Sequence, residues 1–495
     1  MMRRVTRAGL SWALAGACLF SGCSTFTHYT KKMDPVATAL RGGNVTQAQA
    51  LFPEKGLKSG TDRVVYLLEK GTLQHVAGEF DNSDLTFTDA NRIFEENDMR
   101  ATIAVGKAVE GAGSVVLNDK VLPYEGEAYE RVYMHTLEAI NYLMLGKKDE
   151  ARVEIKLAYE QAKAVANRNA KDLDRIQREA DEKKVETKRS VSEAFAQLFS
   201  SNQLDVIERS AVDPYQNAFT AYLSAVVYEM GREYNDAYID CQMAHEIVPG
   251  AKLPADHLAR LAGLSGMAQR KVEWERKFGP VRPPAEKAGD LFVVFQCGLA
   301  AHKEQVKLTI PVPIPSPRDN TISIVLVTVA FPRYHPTPTR AASMEVVCDG
   351  TLLGSTELLT DLDVIALKNF HQKVPALVVR QAIRATLKAG TSYAASNLLG
   401  QLGPIDVSSL VVSGALSFTE QADLRSWLLL PANVQSLRQR IPEGEHDIEL
   451  LLKDAAGAVI DKRAVKATIE RGKFTVMNLR GIDTFVGEPQ VSKPL

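Results

Sequence analysis

The stretch that decides the fold runs from Phe219 to Pro249 and reads FTAYLSAVVYEMGREYNDAYIDCQMAHEIVP. Its apolar residues recur at the spacing of helices buried on one face, in two series that meet at Gly231. Glycine breaks the first helix and Pro249 ends the second. The stretch therefore predicts two helices joined by a tight turn, which is a helical hairpin.

Two further stretches upstream carry the same signal. Tyr133 to Ala162 has an apolar face on each side of Gly146, and Val64 to Phe80 ends beside Gly78. These two glycines are 68 residues apart, about twice the 34-residue period of the tetratricopeptide repeat. The order Met-Gly-x-x-Tyr-x-x-Ala at residues 230–237 resembles that repeat as well. Because such a hairpin cannot bury its own apolar face, we expect neighbouring hairpins and an α-solenoid over residues 33–279.

The N-terminus has the composition of an export signal, which we assign to residues 1–22. Three arginines precede an apolar run, Leu10 to Phe20, that is too short to span a bilayer. The order Phe20-Ser21-Gly22-Cys23 resembles the bacterial lipobox, and this resemblance implies a lipid on Cys23 and a membrane partner. With Ser24 after that cysteine, the same resemblance implies the outer membrane, on its periplasmic side. The alternatives are an ordinary secretory signal or a short anchor helix. Residues 23–32 are then an anchor linker.

Charge and cysteine content limit the possible functions. The formal net charge is −1 with 24% charged residues, so no nucleic-acid partner is expected. Of the cysteines that stay thiols, Cys241 falls on an apolar helix face, whereas Cys297 and Cys348 lie in strand-like stretches. An exported protein can pair two of them. The odd number argues against a disulfide framework, and the pairing stays open.

The period of the apolar residues changes after a proline-rich linker at residues 280–289. Short β-branched runs separated by turn signals, including Asp349-Gly350, predict an antiparallel β-sandwich over residues 290–482. A helical pattern interrupts it at about residues 361–420, and residues 483–495 are expected to be a tail. The segment Ala422 to Val434 is predicted to be a core strand tied to that insert. The fold class is thus α+β and multidomain.

These features together resemble a family of bacterial tetratricopeptide-like outer-membrane lipoproteins. The resemblance carries no catalytic residue with it. The chain also lacks the Gly-x-Ser-x-Gly, Ser-x-x-Lys, His-Glu-x-x-His and phosphate-loop motifs. Its nine histidines are scattered, so neither an enzyme nor a metal or other cofactor is expected.

The function expected is therefore that of a non-enzymatic scaffold that docks cell-envelope proteins on its helical repeats. A second copy of the chain is also a candidate partner, which would give a homo-oligomer. The alternative is a glycan- or lipid-binding protein that uses its strand half, with the repeats as a stalk. The partner surface is expected in a groove lined by the first helix of each hairpin, together with a nearby aromatic loop. Its candidate residues are Tyr124, Tyr129, His135, Glu138, Asn141, Thr220, Ser224 and Glu229. The alternative is that the loop itself or the C-terminal half fills this groove.

Overall fold

The computed structural model describes residues 29–108, 123–182, 188–210, 213, 215–281, 287–315, 322–399 and 422–495. The predicted signal segment, Cys23 and the beginning of the aromatic loop lie outside these ranges. The helices of the described part are α1 (Tyr29–Arg41), α2 (Val45–Ala50), α3 (Arg63–Val76), α4 (Phe80–Ala108), α5 (Ala128–Met144), α6 (Lys148–Glu182), α7 (Lys188–Leu198), α8 (Ser201–Arg209), α9 (Ala218–Met230), α10 (Tyr234–Ile247), α11 (Lys252–Leu264), α12 (Ala268–Phe278) and α13 (Leu362–Leu399).

In the described part of the chain, five pairs of helices form hairpins with one and the same turn. The pairs are α1–α2, α3–α4, α5–α6, α9–α10 and α11–α12. In each turn one residue has a positive φ, and two backbone amides close back onto the end of the first helix. In the α5–α6 turn, for example, Gly146 N–H donates to Leu143 O at 3.0 Å and Lys147 N–H donates to Tyr142 O at 2.8 Å. This is the Schellman cap. The predicted hairpins at Gly78 and Gly146 are confirmed.

The turn of the α9–α10 hairpin differs from the prediction by one residue. Gly231 has an ordinary φ of −80°, and the residue in the left-handed conformation is Arg232, at φ 62°. The other four hairpins place glycine there, at Gly43, Gly78, Gly146 and Gly266. A side chain at this position is strained because its Cβ crowds the backbone.

The strands are β1 (Ala288–Cys297), β2 (His302–Pro315), β3 (Ile322–His335), β4 (Ser343–Cys348), β5 (Thr351–Ser355), β6 (Glu357–Asp361), β7 (Asn433–Pro442), β8 (Gly444–Lys453), β9 (Val459–Ile469), β10 (Phe474–Gly481) and β11 (Phe485–Val491). They form a five-stranded sheet in the order β11-β10-β1-β7-β6, a four-stranded sheet in the order β5-β4-β8-β9, and the hairpin β2–β3. The pairing of β1 with β10 is parallel, so the five-stranded sheet is mixed, where the sequence predicted antiparallel strands.

The β2–β3 hairpin contains a run of prolines. Pro311, Pro313 and Pro315 lie in β2, which pairs with β3 on one side. Alternate residues of a strand direct their amides to the same side. Prolines at every second position therefore fit an edge strand, because the missing donors all belong to one side.

The two larger sheets enclose one hydrophobic core between them, to which β1 contributes Leu291, Val293 and Phe295 and β8 contributes Ile448 and Leu450. The opposite face of β1, with Phe292 and Val294, belongs to a second core that includes residues from the helical hairpins. The composition change near residue 280 coincides with the end of α12, but the second core crosses it. The helical and strand halves are therefore packed as one body.

Several predicted boundaries are corrected. Helix α1 begins at Tyr29, whose ring is buried, so the segment 23–32 is not a linker throughout. The expected tail, residues 483–495, contains β11 because Phe485 and Val486 are buried beside β10. Within the predicted helical insert, α13 covers residues 362–399, and residues 400–421 lie outside the described part. Within the described ranges, no helix combines the length and the apolar character needed to cross a bilayer.

Candidate functional site

The candidate site is the surface where the first helices of the hairpins meet the five-stranded sheet. All eight residues predicted to contact a partner are buried, with exposed fractions between 0% and 6%: Tyr124, Tyr129, His135, Glu138, Asn141, Thr220, Ser224 and Glu229. The prediction that these residues line an open groove is therefore wrong, because the groove is covered. The strand half and the aromatic loop occupy the surface that the groove would present, as in the stated alternative.

Tyr124 of the loop and Tyr129, which is the second residue of α5 rather than a loop residue as predicted, are both anchored inside the chain. The Tyr124 hydroxyl donates to Glu130 at 2.5 Å, and the Arg425 guanidinium lies 5.4 Å from the Tyr124 ring centroid. The Tyr129 hydroxyl lies 3.2 Å from that of Tyr334 on β3. Burial raises the pKa of both phenols well above the usual value, and neighbouring acidic groups and Tyr334 raise it further. The two rings therefore join the loop and the start of α5 to the strand half.

Asn141 belongs to a hydrogen-bonded network centred on His75 of α3. His75 Nδ1 lies 2.6 Å from Asn141 Oδ1, while His75 Nε2 lies 2.7 Å from the amide nitrogen of Gln296 and 3.1 Å from that of Asn478. We assign the proton to Nδ1, because the partners of Nε2 are donors. Burial lowers the pKa of His75 to about 4. Neutral His75 therefore joins two helices to β1 and β10.

Glu229 lies in a buried cluster of charged side chains at the interface. Its carboxylate accepts two hydrogen bonds from Arg438 of β7, each at 2.9 Å, and one from Arg260 of α11 at 2.7 Å. Arg438 also donates to Asp290 at 2.8 Å. Burial alone would raise the pKa of Glu229, but the two guanidinium groups outweigh it and hold that pKa well below the usual value.

A second buried charge cluster lies at the start of α5. The carboxylate of Glu127 accepts hydrogen bonds from Lys303 of β2 at 2.9 Å, from Asn369 of α13 at 2.7 Å and from Lys373. Burial would raise the pKa of Glu127, yet the two ammonium groups lower it well below the ordinary value. This cluster joins the helical half, the β2–β3 hairpin and the helical insert.

The segment from Ala422 to Ala432 is not the strand that the sequence predicted. It is irregular, and the backbone amides of Trp427, Leu428 and Leu429 donate to carboxylates of the helices. The Glu69 carboxylate accepts from Leu428 N–H at 2.7 Å and from Leu429 N–H at 2.9 Å. Trp427 is 1% exposed, and its ring N–H donates to Thr72 at 2.9 Å. Burial raises the pKa of Glu69 to about 8, although these hydrogen bonds lower it. The segment thus binds to α3, and its end also meets the insert, because Leu362 N–H of α13 donates to Ala432 O at 2.8 Å.

The remaining predicted residues bond within the helical half. Thr220 Oγ1 lies 2.8 Å from Thr136 Oγ1, and Ser224 donates to Asp240. His135 Nδ1 lies 2.7 Å from Glu154 and 3.2 Å from Glu138. Burial alone would lower the pKa of His135, but the two carboxylates outweigh it and raise that pKa to about 9. These contacts fix neighbouring helices to each other.

An apolar cavity of about 350 Å³ lies between the two halves. Helices α8 to α10 form one side of it, and β6 with the start of α13 forms the other. It is lined by Val206, Ser210, Ala218, Ile247, Val248, Leu358, Leu359, Thr360, Asp361, Val364 and Ile365.

Among the residues that the structure describes, folding also brings together three groups that offer metal ligands, although no pairing of histidines was evident in the sequence. The groups are His302, Glu304 and His335; Cys348, Asp349 and His446; and His135, Glu138 and Glu154. The three buried cysteines Cys241, Cys297 and Cys348 are free thiols, so the disulfide left open above is not formed.

Sequence reasoning missed Glu69, His75, Glu127, Lys303 and Arg438 as interface residues. A signal existed for Glu127, because Glu127-x-x-Glu130 before an apolar run resembles a capping box. The structure contains the capping-box hydrogen bond from the N-cap amide, since Glu127 N–H donates to Glu130 Oε2 at 2.8 Å. The other four are single charged or polar residues within regular elements, and nothing in their spacing indicates a distant partner.

No family model and no curated protein matches the chain. Among solved structures, it is similar to the TPR2AB-domain:pHSP90-complex of yeast Sti1, at 12% sequence identity and a TM-score of 0.17. The match covers 50% of this chain and 88% of that chain. The five hairpins themselves remain the evidence for helical repeats in this chain.

Proposed function

We propose that this protein is a non-enzymatic, lipid-anchored scaffold of the outer membrane that faces the periplasm and docks cell-envelope proteins. The observation that carries the proposal is the repeated hairpin. Stacked helical hairpins build an extended surface that suits protein partners. The strand half covers their first helices, so we assign docking to the outward faces of the second helices, α4, α6, α10 and α12.

Exposed apolar side chains on those helices support this assignment. Leu85 of α4 is 68% exposed, Val153 of α6 53%, Ile239 of α10 58% and Val272 of α12 53%. Large apolar groups left in water are suitable anchors for a partner, since they gain free energy on burial. This surface replaces the inner groove as the proposed docking site.

The proposed anchor places that surface close to the membrane. Cys23 precedes the buried Tyr29 by six residues, which span at most about 20 Å even when fully extended. A lipid on Cys23 would therefore hold the folded body near the bilayer, within reach of other envelope proteins. Lipid attachment is tested by Cys23→Ser, which should move the protein from the membrane fraction to the soluble periplasmic fraction. Unchanged membrane association would contradict the anchor.

The docking surface is tested by pull-down from solubilised envelopes with the full chain. We expect Val153→Lys with Ile239→Lys to lose the protein partners that the unchanged chain retains. Leu352→Lys is the matched control, because Leu352 is 57% exposed and lies on β5. All these side chains are exposed, so the melting temperature should change little. Partners retained by the double variant but lost by the control would move docking to the strand half.

The apolar cavity favours a second candidate function, the binding of a lipid chain. Its wall is largely aliphatic and it lies between α10 and β6. Ala218→Phe should fill the cavity and abolish binding of a fluorescent fatty acid to the full chain. If the variant still binds the fatty acid, the cavity is not the binding site. Sedimentation with purified peptidoglycan tests the glycan alternative separately.

A further inference from the structure

The base of the β2–β3 hairpin brings three metal-ligating side chains together. His302 begins β2 and His335 ends β3, and the two are directly opposite each other in the register. Glu304 lies two residues further along β2, so all three side chains share one face of the hairpin. His302 Nε2 is 3.4 Å from Glu304 Oε1, and one ligand atom from each residue lies within 4.8 Å of the others.

The other nitrogen of each ring has a partner that holds its proton. His302 Nδ1 lies 3.2 Å from the Thr337 hydroxyl, which itself donates to Ala300 O at 2.8 Å and so accepts from the ring. His335 Nδ1 lies 3.1 Å from Pro336 O. A carbonyl oxygen only accepts, so this nitrogen also carries the proton. The Nε2 lone pair of each imidazole is thereby left free, which is the arrangement that outer partners of metal-binding histidines produce.

We propose that His302, Glu304 and His335 bind one divalent transition-metal ion, with zinc as the ion that fits best. Two imidazoles and one carboxylate, with a fourth position open to solvent, form a common zinc ligand set. A tetrahedral ion with bonds near 2.0–2.1 Å separates its ligand atoms by about 3.3 Å. The distance between His302 Nε2 and Glu304 Oε1 already matches that separation.

The other two ligand groups are less suitable for an ion. His446 Nδ1 lies 2.6 Å from Asp349 and its Nε2 lies 2.9 Å from Pro442 O. Both nitrogens therefore donate, and neither has a lone pair to offer. His135 is buried and is already bonded through Nδ1 to Glu154. An imidazolium there takes the place that a cation would occupy.

A metal ion at this site would connect the two strands at the base of the hairpin. His302 and His335 are the two residues at which the hairpin leaves the body of the protein, so the ion would join both strand ends. One neighbouring charge opposes binding. Arg333 is directly opposite Glu304 in the register and shares the same face. Removing this positive charge should strengthen metal binding.

The test is calorimetric titration of ZnCl₂ into the full chain after treatment with a chelator. We expect one saturable site per chain and a higher melting temperature with zinc. His302→Ala with His335→Ala should weaken binding by more than the roughly 10- to 100-fold that loss of an outer partner typically costs. Thr337→Val, which removes such a partner, should fall within that range. Arg333→Gln should bind more tightly than the unchanged chain.

His446→Ala is the matched control, because it removes a histidine from a different ligand group. It should bind zinc as the unchanged chain does. The proposal is overturned if the unchanged chain shows no saturable site. It is equally overturned if the folded His302→Ala, His335→Ala variant binds zinc with unaltered affinity, or if His446→Ala removes the site.

Discussion

Glu229 of α9 and Arg438 of β7 form a buried, bidentate ion pair, with both N···O distances at 2.9 Å. The side chains are 209 residues apart in the sequence and come from the two compositionally different halves of the chain. Arg260 and Asp290 complete the cluster, so each charge has an opposite charge beside it. The pair therefore links the strand half directly to the helices.

Removing one member of this pair should destabilise the whole protein. Arg438→Met leaves Asp290 and Glu229 buried with one fewer cation, and such losses cost about 3–5 kcal/mol. Remaining contacts to Arg260 and Arg440 place the expected loss near the lower end. Chemical unfolding at neutral pH measures it. Arg463→Met is the control, because Arg463 is partly exposed beside Asp461 and such pairs contribute about 1 kcal/mol or less. Equal effects of both variants would contradict the assigned role.

The His75 network predicts a loss of stability in mild acid. Burial lowers the pKa of His75 to about 4, against 6.5 in the unfolded chain. The unfolded state therefore binds the proton first, and the stability present above pH 6.5 is lost as the pH falls through about 4. For a fully buried group the loss is about 3 kcal/mol. Unfolding curves between these pH values measure it.

His75→Gln is the variant that isolates this effect, because glutamine offers a donor and an acceptor but does not titrate. Its stability should fall less steeply between pH 6.5 and 4 than that of the unchanged chain. Some slope should remain, since burial also lowers the pKa of His257, to about 3. Identical slopes for both proteins would show that His75 does not control the acid response.

The sequence predicted those features that local patterns determine. The hairpins at Gly78 and Gly146 and the turn at Asp349-Gly350 each depend on apolar spacing and on residues that tolerate a positive φ. The interface was not predictable in the same way. Asn141 and Glu229 were correctly placed on first helices, but nothing local indicates that β1, β7 and β10 cover them. Their polar side chains suggested solvent, whereas tertiary folding supplies His75 and Arg438 as buried partners.

Tyr124 and Tyr129 should act on stability rather than on partner binding. Tyr124 and Tyr129 are 4% and 5% exposed, and large-to-alanine changes of buried aromatic residues cost about 3–5 kcal/mol each. We expect Tyr124→Ala with Tyr129→Ala to lower the melting temperature strongly. The conservative pair Tyr124→Phe with Tyr129→Phe keeps the rings and loses the hydroxyl contacts to Glu130 and Tyr334, at about 1 kcal/mol each. An alanine variant with an unchanged melting temperature but a weaker pull-down would restore the groove as a docking site.

The turn of the α9–α10 hairpin predicts a stabilising substitution. Arg232, at φ 62°, occupies the position where the other four hairpins have glycine. The left-handed conformation costs a residue with a Cβ roughly 1–2 kcal/mol, part of which glycine returns through its greater freedom in the unfolded chain. Arg232→Gly should therefore stabilise the protein by about 0.5–1 kcal/mol.

The matched reverse change is Gly146→Ala in the α5–α6 turn. Gly146 has φ 80°, and a Cβ there would meet no atom closer than 3.9 Å. The cost, about 1 kcal/mol, should thus come from the backbone conformation rather than from a clash. Chemical unfolding of both variants, read against the unchanged chain, gives the two differences. A gain in unfolding free energy for Arg232→Gly and a loss for Gly146→Ala would support a single turn geometry across the hairpins. A destabilising Arg232→Gly would instead mean that the arginine side chain contributes contacts that outweigh the strain at its own backbone.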